Sequence, residues 1–125
     1  MTAAEVTELI SRYNDAWNRQ DLDAIHALHH PAIVFDNHTA GERAEGADAV
    51  REHIGRIFGN NPDMRFTTRS LQAGEDFAVC EWTLNVTKDG RPLEWDGVDV
   101  FPLRDGLIAR KDVYSSSHRP RGLQS

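Results

Sequence analysis

The hydrophobic period of this chain changes near residue 64, and that change constrains the architecture more than any single motif. From there on, apolar and polar residues alternate in MRFTTRSL, FAVCEWTLNV, LEWDGVDVFPL and LIARKDVYSS, with AGED, KDGRP and RDG between them. Alternation at period two marks strands with one buried face, and compact turns rich in Gly, Asp and Pro join such strands antiparallel. The second half is therefore predicted to be a four-stranded meander.

The first half keeps a helical period. Thr2 and Glu5 form a T-x-x-E capping box, after which Val6, Leu9, Ile10, Tyr13 and Trp17 recur at spacings of three and four. An amphipathic helix is expected over residues 3–19, with Tyr13 on its buried stripe. Asp21 is placed to cap a second helix with Leu22, Ile25 and Leu28 facing inward and Pro31 as its stop. AIVFD reads as a short strand and residues 37–46 as a loop. A third helix follows, with Val50, Ile54, Ile57 and Phe58 on one side and Gly59-Asn60 as its stop. Three helices and a meander give an α+β domain in which helices cover one face of a curved, mainly antiparallel sheet.

At 125 residues the chain is long enough for one core and too short for two. Residues 1–117 are read as a single domain and residues 118–125, HRPRGLQS, as a frayed tail. A net charge of −6 without a basic stripe argues against a nucleic-acid partner, and no apolar run approaches a bilayer span. The N-terminus lacks the pattern of a secretory signal, so a cytoplasmic location is expected. Cys80, the lone cysteine, sits in a strand pattern and is expected to be a small buried residue.

One stretch breaks the rule that acids stay at the surface. In WDGVDVF, residues 95–101, alternation puts Trp95, Gly97, Asp99 and Phe101 on one strand face. A carboxylate thus shares a face with two large aromatic residues, where an unpaired charge is costly.

Several segments together resemble the NTF2-like superfamily in its SnoaL-like and ketosteroid isomerase-like branch. They are R-Y followed by D-L-D-A-I, the A-I-V-F-D strand, G-A-D-A-V-R, and the D-V-F-x-x-R-D-G-L-I hairpin. The resemblance covers nearly the whole chain and implies a cone-shaped fold with an apolar pocket. It further implies a cofactor-independent enzyme that abstracts a proton beside a carbonyl, as an isomerase or polyketide cyclase acting on a hydrophobic small molecule. The isomerase uses an aspartate base with a tyrosine and a protonated aspartic acid as oxyanion donors. By position, Asp36 of A-I-V-F-D matches the base, Tyr13 of R-Y the tyrosine, and Asp99 of D-G-V-D-V the acid. In that role Trp95 and Phe101 would keep Asp99 protonated. Asn37 replaces the proline that follows the isomerase base, and Ser115 stands where the isomerase has a tryptophan, which argues against steroid-sized apolar substrates. A non-catalytic ligand-binding or dimerisation module is the alternative.

Trp17, Trp82, Trp95, Phe101, Asp112 and Tyr114 are expected to contact substrate. Asp112 lies in ARKDVYS, a stretch resembling the ends of limonene epoxide hydrolase and of SnoaL-type cyclases, where an acid acts in catalysis. The hydrolase also needs an arginine and an aspartate where CEWTL offers Trp82 and Leu84, so epoxide hydrolysis is disfavoured. His26, His29 and His30 lack a completing carboxylate pattern, and no metal is expected. His38 is expected to face solvent. Val79, Val98 and Val100 would lie on the outer sheet face, where the resemblance implies a homodimer contact.

Overall fold

Thr2 caps the first helix, α1 (Ala3–Arg19), through both arms of the capping box. Its Oγ1 accepts from the Glu5 N–H at 3.1 Å, and Glu5 Oε1 accepts from the Thr2 N–H at 2.9 Å. The apolar stripe of α1 buries Val6, Leu9, Ile10, Tyr13, Ala16 and Trp17. The computed structural model describes residues 1–123. Helix α2 (Leu22–Ala27) is capped by Asp21, and α3 (Ala47–Asn60) buries Val50, Ile54 and Phe58. Gly46 opens α3 at φ 88°, ψ 147°, a conformation that only glycine adopts without strain.

The sheet has the order β2-β1-β6-β5-β4-β3, with a short β7 beside β5. Its strands are β1 (His29–Asn37), β2 (Glu42–Glu45), β3 (Arg65–Ala73), β4 (Phe77–Lys88), β5 (Arg91–Arg104), β6 (Leu107–Ser115) and β7 (Arg121–Gly122). Strands β3 to β6 form the expected antiparallel meander, and β1 joins β6 in the one parallel pairing among the described residues. The α+β class expected from the sequence is the class observed. On the β3 edge, the Asn18 side chain donates to Phe66 O at 2.9 Å and accepts from Phe66 N at 2.8 Å. The Asn18 side chain thereby pairs the Phe66 backbone on an edge that has no neighbouring strand.

Three local expectations change. Helix α2 ends at Ala27 rather than at Pro31, because Leu28 O accepts from Ile108 N and draws the chain into β1. Pro31 then lies in the irregular stretch of β1 between His29 and Val34, where its missing N–H breaks no regular ladder. The expected loop over residues 37–46 contains β2, whose three charged residues and lone Ala44 are too short a pattern to betray a strand. The expected frayed tail contains β7, held by Arg121, which donates to Glu94 Oε1 at 2.8 Å and Asp96 Oδ1 at 3.0 Å. Arg121 and Thr83 pull the Asp96 carboxyl down to about 2. Residues 124 and 125 of that tail lie outside the described residues.

No helix among the described residues is long and apolar enough to cross a membrane. Val79, Val98 and Val100 are half-buried on the convex sheet face, and Cys80 is buried in β4.

Candidate active site

The concave sheet face and helices α1 and α3 line a half-open cavity of about 260 Å³. Trp17, Phe35, Phe66, Trp82, Leu84, Trp95 and Val113 make its walls apolar. Asp99 and Lys111 are its buried charged residues, each about 5% exposed at the side chain. Asn37, Glu42, Asn61, Lys88, Ser115 and Ser117 add less deeply buried polar groups.

Asp99 faces inward with Phe101, as alternation along β5 requires, and Lys111 Nζ donates to its Oδ2 at 3.1 Å. Lysine has no acceptor, so Asp99 accepts in this bond, the reverse of the donor role expected of it. Among the described residues, Asp99 Oδ1 is buried without a partner, as are Trp17 Nε1 and Trp82 Nε1. Four rings surround the ammonium, with centroids at 4.6 Å for Trp17, 4.9 Å for Phe101, 5.2 Å for Tyr13 and 5.8 Å for Phe35. Cation–π attraction of this kind strengthens where water is excluded.

A bulge puts Lys111 there. Asp99 opposes Val113 and Val100 opposes Asp112, but Leu103 opposes Ile108, so β6 holds one more residue than β5 across the break. The extra residue inverts the facing order along β6. Counted from buried Ile108, simple alternation would turn Arg110 and Asp112 inward; beyond the bulge Lys111 and Val113 are buried instead.

The other expected residues scatter. Tyr13 is fully buried, but its hydroxyl meets His29 Nε2 at 2.8 Å, and its ring packs edge-on against Phe101. Burial pushes the Tyr13 phenol well above its usual range. Phe101 lies beneath the cavity wall, against Tyr13 and the Lys111 ammonium. Trp17, Trp82 and Trp95 line the cavity.

Asp36 does not reach it. Ile33 and Phe35 are buried on the inner face of β1, so Asp36 between Phe35 and Asn37 points to the outer one. There Arg43 donates to Asp36 at 3.1 Å, Arg110 donates to Asp112 at 2.8 Å, and His38 Nε2 lies 2.9 Å from Asp112. Arg110 first, then His38, hold the Asp112 carboxyl below the usual carboxylate range. Tyr114 is exposed there and stacks on His38 with ring centroids 4.4 Å apart. Asp36, Asp112 and Tyr114 therefore belong to an outer charged cluster and not to the cavity. Asp36, His38 and Asp112 could each offer a metal donor within 4.8 Å of one another, but the two arginines already match both acids. His30 lies on β1 beside Asp105 and His29 on Tyr13, so the histidines near α2 do not share one helical face.

Two residues, His29 and Gly97, carry measurable consequences. Burial, and secondarily the Lys111 charge, pushes the His29 imidazole down to about 3 from an ordinary 6.5. Above pH 6.5 neither the folded nor the unfolded chain binds this proton; between 6.5 and 3 only the unfolded chain does. Stability is therefore expected to fall with acidification through that window by up to about 1.4 kcal/mol per pH unit. His29→Gln should flatten that slope in urea midpoints taken from pH 7 to pH 4. The second concerns Gly97, which opposes Trp82 across β4 and β5. A Cβ there would come within 2.3 Å of the Trp82 ring, so Gly97→Ala must displace a cavity wall. A loss of about 1–3 kcal/mol is expected, the range for overpacking, read as a lower melting temperature with a shifted tryptophan emission.

The sequence model of the SnoaL-like domain matches residues 10–111. A search of curated proteins finds no match. Among solved structures, a proposed SnoaL-like polyketide cyclase from Jannaschia sp. CCS1 superposes with a TM-score of 0.82 at 17% identity, over 91% of this chain and 87% of that one. A protein of ketosteroid isomerase-like fold from Catenulispora acidiphila, in complex with trimethylamine, gives 0.78 at 16% identity over 86% and 84%. An LEH-like epoxide hydrolase from M. tuberculosis gives 0.80 at 17% identity over 93% and 86%. At these identities the likeness is one of fold, the NTF2-like architecture of three helices on a curved sheet.

Proposed function

The chain belongs to the SnoaL-like domain family, and from that premise we propose that it takes a proton from the carbon beside a carbonyl of a hydrophobic small molecule held in the cavity. Asp99 is the base, and Lys111 is the cation that polarises the carbonyl oxygen. One observation carries the reading: at the cavity floor a carboxylate oxygen without a partner stands beside an ammonium, within apolar walls. Forming an enolate needs both groups, a base near the carbon and positive charge near the oxygen, and both act more strongly where water is excluded.

Asp36 is not proposed as the base, because its side chain stands on the other face of the sheet, bonded to Arg43. A non-catalytic binding module is the second reading, favoured by the way Asp99 and Lys111 already compensate each other. Exchange of α-hydrogens for deuterium in a panel of enolisable ketones, followed by NMR, separates the two. Exchange that Asp99→Asn removes and Asp36→Asn keeps is the expected outcome. Ligand-induced melting shifts with no exchange would leave the binding module standing.

A further inference from the structure

We infer that Lys111 forms a reversible imine with an aldehyde or ketone bound in the cavity. The chain has two lysines against twelve arginines, and both lysines line this one cavity. Lys88 is partly exposed on a strand end, whereas Lys111 is buried at the floor with a carboxylate in hydrogen-bond reach. Every other basic side chain of the Lys/Arg type is an arginine, which does not form an imine. Desolvation on an apolar floor favours the neutral, nucleophilic amine, and Asp99, which holds Lys111 as its ammonium at rest, is the acceptor in reach that takes the proton when a carbonyl arrives.

The steps balance around Asp99. The Lys111 ammonium passes a proton to the Asp99 carboxylate, and the freed lone pair on Nζ attacks the carbonyl carbon. A C–N bond forms while the C=O π pair moves to oxygen, which takes the proton back from Asp99. Nitrogen then returns a proton to Asp99, which delivers it to the hydroxyl. Water leaves, the nitrogen lone pair closes the C=N bond, and the positive charge stays on the iminium facing the Asp99 carboxylate. The rings of Trp17, Phe101, Tyr13 and Phe35 that surround the ammonium surround the iminium equally. The cavity thus holds the same charge before and after. The inference rests on the cavity being the ligand site of the reading above and deepens it, because an iminium acidifies the neighbouring C–H that Asp99 would abstract.

Reductive trapping tests it. The full chain is treated with cyanoborohydride and a size series of aldehydes, acetaldehyde, butyraldehyde and benzaldehyde, and the adducts are mapped by peptide mass spectrometry. Lys88 and the terminal amine serve as internal references. One adduct per chain on Lys111, formed ahead of both references and lost in Lys111→Arg, is the expected result. Adducts confined to Lys88 and the terminal amine across the whole series would overturn the inference. If Lys111→Arg fails to fold, the wild-type map decides alone. Ketone deuteration without trapping would remove the imine and leave direct enolisation; trapping without deuteration would keep the imine and remove Asp99 as the base.

Discussion

Lys111→Met is expected to destabilise the fold by about 3–5 kcal/mol, because it leaves the Asp99 carboxylate buried without its counter-charge. A domain of this kind has a total stability of only about 5–15 kcal/mol, so the loss is a large share of the whole. Asp99→Asn should cost a comparable amount from the opposite side, stranding the ammonium among the aromatic rings. The double variant Asp99→Leu/Lys111→Met removes both charges at once and should recover most of the loss, since an apolar pair of similar volume has no desolvation cost to meet. Urea midpoints of the single and double variants, at unchanged denaturant slope, measure the coupling directly. Additive losses in the double variant would mean that the two groups do not depend on each other.

The second large effect is on chemistry. If Asp99 is the base, Asp99→Asn should lower α-hydrogen exchange by roughly 10² to 10⁴, the usual contribution of a positioned proton acceptor. An amide keeps the shape and one acceptor oxygen but has no basicity. Because the same substitution unpairs Lys111, the rates belong at a temperature where circular dichroism shows the variant folded. Asp36→Asn is the informative companion: its carboxylate is on the outer face and bonded to Arg43, so exchange should stay within about twofold of wild type, the factor that small indirect effects allow. A rate collapse in Asp36→Asn with wild-type exchange in Asp99→Asn would return the base to the β1 position and reject the cavity assignment.

Much of the fold was legible because local rules and burial agree. The capping box and the stripe from Val6 to Trp17 specify α1, and the switch to alternation at residue 64 announces the meander. What stayed hidden had weak local signal. Strand β2 has three charged residues and a single small apolar one, Ala44, and β7 is held by Arg121 reaching Glu94 and Asp96 across space.

The site divides the same way. Alternation turned Asp99 inward, and applied to Ile33 and Phe35 the same rule would have turned Asp36 outward, against its positional match to a catalytic base. Asp112 could not be placed by counting, because one extra residue in β6 inverts the faces between Ile108 and Lys111. Lys111 left one trace in the sequence, as one of two lysines, set in mid-strand between an arginine and an aspartate.

By itself the sequence determined the class of fold, the helical and strand periods, and the presence of an acid on an aromatic strand face, because each follows from the repeat of neighbouring side chains. Only the tertiary structure decided that this acid is paired, that its partner is Lys111, and that Asp36 and Asp112 face away. Those outcomes depend on strand register, and a single bulged residue exchanges the buried and outer faces of everything beyond it.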